Sequence, residues 1–452
     1  MDQDLARIVG RIAGVRAAAD ELARAATTDP DMLNRVGNAY AMIGVHDRAL
    51  EFYRRAANAA PFHAGCFYNL GSVQSFTGDF EASRRSLARA VELDPDLHQA
   101  WLSLVLLDRQ TREGNHLPRL EGMFNLPAPD PDGNRALHLG HAIAKTYEDL
   151  GDPVASFDWL VRAKEGRRRN AEYSPVREQA LFTAAAETLK PASGPGFDTE
   201  EPVFVLGLPR TGTTLVDRIL SAHPDVTSAG ELNNFPLLVR HFSGVRGTRL
   251  LEPSMFEAIA GADMAELGRR YLESTRPITG AAARFTDKTP INVVFAGLIH
   301  RALPNARIVC LRRDPMDSVL SYFRQIFFHP KHPYPSVYDL RNAAIHYAHF
   351  HGLADHWRRV LPADRFLELR YETLIADQEG QTRRLVDFVG LPWDPRCLDF
   401  HSQPGVVATP SAVQVRQPIY SSSIGRWKRY GDRLAPALDV LKRAGVLADE
   451  AA

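Results

Sequence analysis

The pattern of apolar and polar positions changes once along the chain, near residue 195. The first half is helical and repetitive, whereas short apolar runs alternate with helical segments in the second half. Three of these runs, Val203–Leu208, Arg307–Leu311 and Arg365–Leu369, have the length and composition of buried strands. Strands that alternate with helices, one of which is predicted over Met255–Glu273, predict a parallel sheet. The linker composition of Lys190–Gly196 then predicts an all-α domain over residues 1–195 and an α/β domain over 196–452.

The first half contains a repeat with a period of 34 residues. The positions that recur carry small residues or proline: Gly37, Gly44, Ala49, Ala56 and Pro61, then Gly71, Gly78, Ser83, Ala90 and Pro95. This period, with small residues at helix crossings, predicts tetratricopeptide repeats, and Gly151 marks a further unit. Such repeats can bind a peptide or protein, act as a homodimerisation arm, or only stabilise the second domain. The sequence leaves these three roles open.

The first predicted strand leads into a turn that resembles a phosphate loop. Gly207 to Thr214 has the spacing G-x-x-x-x-G-K-[ST], but Thr213 stands at the lysine position. Arg210 supplies positive charge from inside the turn instead. Unpaired N–H groups at the start of the following helix favour an anion. The turn therefore predicts a site for one phosphate group, held by the backbone with Arg210, Gly212, Thr213 and Thr214.

A second phosphate site is predicted after the strand Arg307–Leu311. Arg313 follows this strand directly, and Ser318 and Ser321 share a face of the next predicted helix. Ligands of parallel sheets bind beyond the carboxyl ends of the strands, where an arginine and hydroxyl groups can hold a phosphate. Two phosphate sites in one sheet favour a nucleotide with phosphates at both ends of its ribose.

The bulk composition narrows the class of protein. Lys plus Arg equals Asp plus Glu, so a broadly basic surface for nucleic acid is not expected. Cys66, Cys310 and Cys397 are scattered, which predicts neither disulfides nor a metal site and favours a reducing compartment, the cytoplasm. The N-terminus lacks the apolar core of a signal peptide, and no apolar run is long enough for a membrane span.

Several of these motifs together resemble the sulfotransferase family. The resemblance rests on Pro209–Leu215 with Ala222-His223-Pro224, and on Leu311–Pro315 with Ser321. It is nearest to the protein-tyrosine sulfotransferases and their bacterial relatives fused to tetratricopeptide repeats. It implies 3′-phosphoadenosine-5′-phosphosulfate (PAPS) as sulfuryl donor and no metal. The implied donor-binding residues are Arg210, Thr211, Gly212, Thr213 and Thr214 at the 5′ end, Arg313 and Ser321 at the 3′-phosphate, and Tyr371 and Arg426 near the nucleotide.

The same resemblance implies the catalytic groups. Glu231 falls on the position of the general base, and Lys288 on the lysine that stabilises the departing phosphate, together with Arg210 and Ser411. The basic residue that the family has before Pro418 is Gln417 here, and Arg416 is a candidate substitute. A histidine serves as the base in other branches, but we expect His223 to be structural.

Two rival functions remain open at this point. A P-loop kinase or NTPase would need the missing loop lysine and a Mg²⁺-binding carboxylate, for which Asp314 is a candidate. A noncatalytic repeat scaffold is the second rival. For a sulfotransferase, the acceptor is a hydroxyl of protein tyrosine, carbohydrate, lipid or a small molecule. The repeats favour a peptide or protein acceptor.

Overall fold

The computed structural model describes residues 17–24, 28–189, 195–247, 249–327, 333–403, 407 and 413–448. By its internal contacts the chain divides into two compact units. One comprises Met1–Ala171 with Pro404–Gln414, and the other Glu172–Gln403 with Val415–Ala452. The helix Pro175–Ala186 therefore groups with the second unit. The domain boundary between residues 195 and 196 stays a prediction.

The described part of the first unit is built from pairs of consecutive helices that pack together. After helical residues 17–24, its helices are Pro30–Met42, His46–Ala59, Ala64–Thr77, Phe80–Leu93, His98–Leu107, Leu117–Asn125, Asn134–Asp149 and Pro153–Asn170. Two of the turns between these helices have the same glycine-aspartate structure. Gly78 and Gly151 have φ of 92° and 90°, and the aspartate that follows each glycine caps the next helix.

The period of 34 residues reflects the way these helices cross. A Cβ at Gly37 would lie 2.7 Å from the Tyr53 ring, and one at Gly71 would lie 2.7 Å from Leu87. Larger residues at these two positions would push the paired helices apart. In the helix pair of the predicted further unit, a Cβ at Gly140 would lie 2.4 Å from the Cβ of Ala163, so these two helices also approach closely at a glycine.

The second unit is an α/β structure around five parallel strands. The strands are β1 (Pro202–Gly207), β2 (Val226–Ser228), β3 (Arg284–Asp287), β4 (Arg307–Arg312) and β5 (Phe366–Arg370). Its helices are Pro175–Ala186, Thr213–Ser221, Asn234–Ser243, Pro253–Ala258, Met264–Thr279, Ala296–Ala302, Pro315–Phe323, Leu340–Val360, Tyr371–Ala376, Gln378–Phe388 and Ala435–Arg443. The 3₁₀ helices are Glu187–Leu189, Ile259–Gly261, Pro290–Phe295, Pro335–Tyr338, Pro395–Cys397, Phe400–Ser402, Gln414–Arg416 and Arg426–Leu434.

The strand order β2-β3-β1-β4-β5 places β1 in the middle of the sheet. From β1 the chain adds β2 and β3 on one side and then β4 and β5 on the other. In such a sheet the loops after β1 leave a crevice at the carboxyl edge, where ligands bind. All six residues of β1 are buried, which agrees with its continuous apolar run.

The predicted fold class is confirmed, and so are the three predicted strands, each within one residue. Sequence reasoning missed β2 and β3, because these strands are only three and four residues long and carry Thr, Ser, Arg and Asp. The predicted helix Met255–Glu273 is wrong as a single element. It breaks after the 3₁₀ turn Ile259–Gly261, and Asp263 caps the next helix by accepting from the Glu266 N–H at 3.0 Å.

Candidate active site

The turn after β1 has the geometry of an anion-binding loop. Arg210 has a φ of +73°, a left-handed conformation that is rare and costly for a residue with a side chain. Thr211 closes the turn, since its Oγ1 donates to the Leu208 carbonyl at 2.8 Å. Gly212 forms the N-cap of the helix Thr213–Ser221, so the first N–H groups of this helix face the turn without a capping side chain.

Gly212 cannot be replaced by a larger residue without a clash. Its φ is +108°, and a Cβ there would lie 2.8 Å from the Tyr371 ring. Tyr371 begins the helix after β5, so this close approach joins two loops at the carboxyl edge of the sheet. The Tyr371 hydroxyl also hydrogen-bonds the Ser423 hydroxyl at 2.9 Å. The tyrosine predicted beside the nucleotide thus lies directly against the phosphate loop.

Several arginines converge on this loop and make it strongly positive. Burial lowers the pKa of the Arg210 guanidinium to about 10. Tyr420 opposes this shift, and the charges of Arg313, Arg324 and Arg426 add to it. Arg210 remains protonated at neutral pH, so these side chains form a cationic surface. Such a surface favours a polyanionic ligand.

Arg313 lies between the phosphate loop and the C-terminal part of the chain. Its Nη1 donates to the Arg210 carbonyl at 3.3 Å, its Nη2 donates to the Ser423 carbonyl, and its guanidinium lies 4.8 Å from the Tyr371 ring centre. Its Nε is buried and has no hydrogen-bond partner among the described residues. A buried guanidinium nitrogen of this kind is suited to an anionic ligand.

Asp317 determines where Arg426 lies. Its carboxylate accepts from the Gly425 N–H at 2.6 Å and from the Trp427 N–H at 3.0 Å, on both sides of Arg426. Burial raises the pKa of Asp317, and the Trp427 hydrogen bond acts in the opposite direction. Ser321, one turn further along the same helix, is half-buried. The helix after β4 therefore carries Ser321 and also anchors the segment with Arg426.

Glu231 and Lys288 form an ion pair at the ends of β2 and β3. Lys288 Nζ donates to Glu231 Oε1. The lysine side chain is only 2% exposed, whereas the glutamate is 53% exposed and open to a reaction partner. The Lys288 N–H donates to the Gly230 carbonyl at 2.8 Å, which locks the two segments together. The two residues implied as base and cation, which are far apart in sequence, are thus in direct contact.

His223 is held by backbone groups on both sides of its ring. Its Nε2 donates to the Pro392 carbonyl at 2.9 Å, and its Nδ1 accepts from the Asp225 N–H at 3.1 Å. Because both nitrogens are occupied, the ring is suited to a structural role. Ser411 lies outside the described residues, so its predicted role in catalysis stays a prediction.

Sequence reasoning missed two residues of this region, Tyr420 and Asp287. Burial raises the pKa of Tyr420, whose neighbours include Tyr371 and the arginines at positions 210, 313 and 426. Burial also raises the pKa of Asp287, the last residue of β3, to about 6, although hydrogen bonds from Thr289 and Tyr271 act to lower it. Tyr420 lies between the predicted site residues Ser411 and Arg426, and Asp287 adjoins Lys288, but neither residue lies in a spacing that would single it out.

Comparisons with known proteins agree with this geometry. Residues 202–395 match the model of the sulfotransferase family, and residues 64–97 match that of the tetratricopeptide repeat. The second unit contains a sulfotransferase domain. The predicted helical repeats followed by a sulfotransferase domain are therefore confirmed. In the described residues, no helix is long and apolar enough to span a membrane, and no group of three or more metal-binding side chains occurs.

The chain is similar to sulfotransferases that act on different acceptors, and to an uncharacterised protein. An uncharacterised Aquifex aeolicus protein is 29% identical over 87% of this chain and 52% of its own length. A Drosophila melanogaster protein-tyrosine sulfotransferase is 25% identical over 56% of this chain and 52% of its own length. A human heparan sulfate glucosamine 3-O-sulfotransferase is 25% identical over 47% of this chain and 58% of its own length. The chain thus spans about half the length of these relatives.

Proposed function

We propose that the chain transfers a sulfuryl group from PAPS to a hydroxyl group, with Glu231 as the general base. The observation that carries the proposal is the contact between half-exposed Glu231 and buried Lys288, which follow β2 and β3 on one side of the phosphate-loop strand β1. A base that takes the acceptor proton and a cation that stabilises the departing oxygen both have to lie near the transferred group, and therefore in the same site. This pair meets that requirement.

The residues around the loop fit PAPS in two respects. The helix start after Gly212 is suited to the 5′-phosphate, and the buried Nε of Arg313 is suited to a second phosphate. Arg210, Thr211, Gly212, Thr213, Thr214, Arg313, Ser321, Tyr371 and Arg426 would hold the nucleotide. When bound, PAPS supplies the sulfuryl group and a phosphate leaving group.

The chain's own residues then divide the chemical work. Glu231 accepts the proton of the acceptor hydroxyl, and Lys288, Arg210 and Ser411 stabilise negative charge on the departing side. This arrangement requires no metal.

A tyrosine hydroxyl of a peptide or protein is the acceptor that we propose. Similarity to a protein-tyrosine sulfotransferase supports it, and the tetratricopeptide repeat suits a protein partner. The similarity to a heparan sulfate sulfotransferase makes a sugar hydroxyl the second candidate. Cytoplasmic location and homodimerisation remain proposals from the sequence.

Calorimetry with three nucleotides tests the donor site. We expect the protein to bind 3′-phosphoadenosine-5′-phosphate more tightly than AMP and ATP, since only this nucleotide reaches the loop and Arg313 together. Arg313→Ala should weaken its binding about tenfold to hundredfold and leave AMP affinity nearly unchanged, which corresponds to about 1.5–3 kcal/mol for a charged hydrogen bond. Tight binding of ATP alone would refute the proposal and favour a kinase or NTPase.

The acceptor is tested with ³⁵S-labelled PAPS and a cell lysate, followed by identification of the labelled product. Label on tyrosine supports the proposed acceptor. Label on a glycan would replace tyrosine with a sugar hydroxyl, the second candidate, as the acceptor. Nucleotide binding with no transfer to any acceptor would contradict the catalytic proposal and favour a binding scaffold.

A further inference from the structure

A buried carboxylate connects the three elements that form the candidate active site. Asp217, on the helix Thr213–Ser221, is only 6% exposed. It accepts from the Ser228 hydroxyl at 2.9 Å, at the end of β2, and from the Thr286 hydroxyl of β3. This single side chain therefore joins the helix of the phosphate loop to the strands that precede Glu231 and Lys288.

A second set of hydrogen bonds continues from these contacts to the ion pair. Ser228 Oγ accepts from the Gly230 N–H at 3.3 Å, immediately before Glu231. The Ala229 N–H donates to the Thr286 carbonyl at 2.9 Å, and Thr286 lies two residues before Lys288. Any shift of Asp217 would be passed on to the backbone that carries both Glu231 and Lys288.

The charge of Asp217 also acts on Lys288. Burial raises the pKa of Asp217, and the positive charge of Lys288 is the largest effect in the opposite direction. The ammonium group of Lys288 thus contacts the Glu231 carboxylate directly and also interacts with the charge of Asp217. The carboxylate of the neighbouring Asp287 is instead bonded to Tyr271 and Thr289.

We infer that Asp217 is a positioning residue that holds Glu231 and Lys288 in their relative places and keeps the lysine in a negative environment. The inference rests on the proposed function, because it assigns Asp217 a role toward those two groups. Asp217 acts through the hydroxyls of Ser228 and Thr286 and through its charge. Among the described residues, its side chain contacts neither the backbone N–H groups of the phosphate loop nor Arg313.

The test compares Asp217→Asn with Asp225→Asn in the full chain. Asparagine keeps the shape of Asp217 and removes its charge. Asp225 has a 54% exposed carboxylate in the same strand-helix unit and serves as the control. The probes are ³⁵S-labelled PAPS with a tyrosine-containing peptide, and with water as the acceptor in the absence of peptide. We expect kcat to fall about tenfold to hundredfold in Asp217→Asn, as for a small displacement of catalytic groups.

Two further readouts separate positioning from a general loss of structure. Affinity for 3′-phosphoadenosine-5′-phosphate should stay within about twofold of the natural chain, because tenfold would need about 1.4 kcal/mol and the donor contacts are unchanged. The KM for PAPS should also stay within about twofold while kcat falls, because the substitution alters the relative places of Glu231 and Lys288 and not the donor contacts. Asp225→Asn should change neither quantity.

Thr286→Val supports the test if Asp217→Asn does not fold. It removes one hydroxyl donor, keeps the side-chain shape, and should lower kcat in the same direction by a smaller factor. Unchanged kcat in Asp217→Asn, or in Thr286→Val if only that variant folds, would overturn the inference and leave the proposed function intact. Absence of transfer by the natural chain to peptide, to water and to every acceptor in the labelled lysate would overturn the proposed function together with it.

Discussion

At the scale of single residues, the ion pair of Glu231 and Lys288 combines two opposite environments. The buried lysine is fixed by its surroundings, whereas the glutamate keeps about half of its side chain exposed. A group that exchanges a proton with a substrate has to be accessible, and a group that stabilises charge is more effective when water is excluded. The exposure of each residue thus matches its proposed role.

Glu231→Gln tests the proposed base. Glutamine keeps the size of the side chain but cannot accept the proton, so turnover should fall about 10²- to 10⁴-fold. Affinity for 3′-phosphoadenosine-5′-phosphate, measured by calorimetry, should be retained. Glu257→Gln, at an exposed glutamate of the same unit, is the matched control. Turnover that survives in Glu231→Gln would show that another group is the base.

Gly212→Ala tests the close approach of the phosphate loop to Tyr371. Both a left-handed backbone and a contact of 2.8 Å oppose a side chain at this position. Gly244→Ala is the matched control, because its φ of +66° is also left-handed but no atom lies within 4 Å of its Cβ position. The control should lose about 1–2 kcal/mol of unfolding free energy from backbone strain.

Gly212→Ala should lose more stability than Gly244→Ala and should also bind nucleotide more weakly. Thermal unfolding and calorimetry measure the two effects separately. Equal losses of stability in the two variants, with unchanged nucleotide affinity, would contradict the role given to this contact.

At the scale of elements, the helix Pro175–Ala186 is fastened to the sulfotransferase domain by a buried carboxylate. Glu178 accepts from His346 Nδ1 at 2.7 Å, from His349 Nδ1 at 3.1 Å and from the Tyr173 hydroxyl at 2.9 Å. Burial acts to raise the pKa of Glu178. The charge and hydrogen bond of His346, together with the hydrogen bonds from His349 and Tyr173, outweigh burial and lower this pKa to about 2. The helix lies before the residues that match the sulfotransferase family, yet it is part of the same compact unit.

Glu178→Gln should reduce stability in a pH-dependent manner. A carboxyl whose pKa is lowered on folding stabilises the protein fully above its unfolded value near 4.5 and loses this contribution as the pH falls toward about 2. The difference in unfolding free energy from the natural chain should be about 3 kcal/mol at pH 5.5 and should shrink below pH 4.5.

Denaturant unfolding of both chains at several pH values measures this difference. Glu257→Gln again serves as the control and should stay close to the natural chain at every pH. A difference for Glu178→Gln that does not change with pH would contradict the ionised state of Glu178.

At the scale of the whole molecule, the two compact units contribute differently to the proposed function. Apart from Ser411, every predicted site residue lies in the described part of the second unit. The sheet explains this, because β1, β3 and β4 are neighbours and their carboxyl ends meet at one edge. Our proposal also gives the repeats a function, namely to provide a surface that binds the protein acceptor.

The sequence alone was sufficient for features with a strong local signal. The repeat was predictable because a glycine is needed wherever two helices cross closely, as at Gly37 and Gly71. The strands β1, β4 and β5 were predictable because buried parallel strands require apolar runs. The substitution of Thr213 for the usual lysine could be recognised because the phosphate loop is a contiguous motif. Glu231 and Lys288 were predicted only through the resemblance to a family.

The tertiary structure alone decided which of these residues act together. The contact of Glu231 with Lys288 spans 57 residues and depends on β2 and β3, two strands too short and polar to be recognised. The connections made by Asp217 likewise follow from the strand order. Hydrogen bonds and charge interactions between distant segments leave no periodic pattern in the sequence, because they depend on where the sheet brings the strand ends.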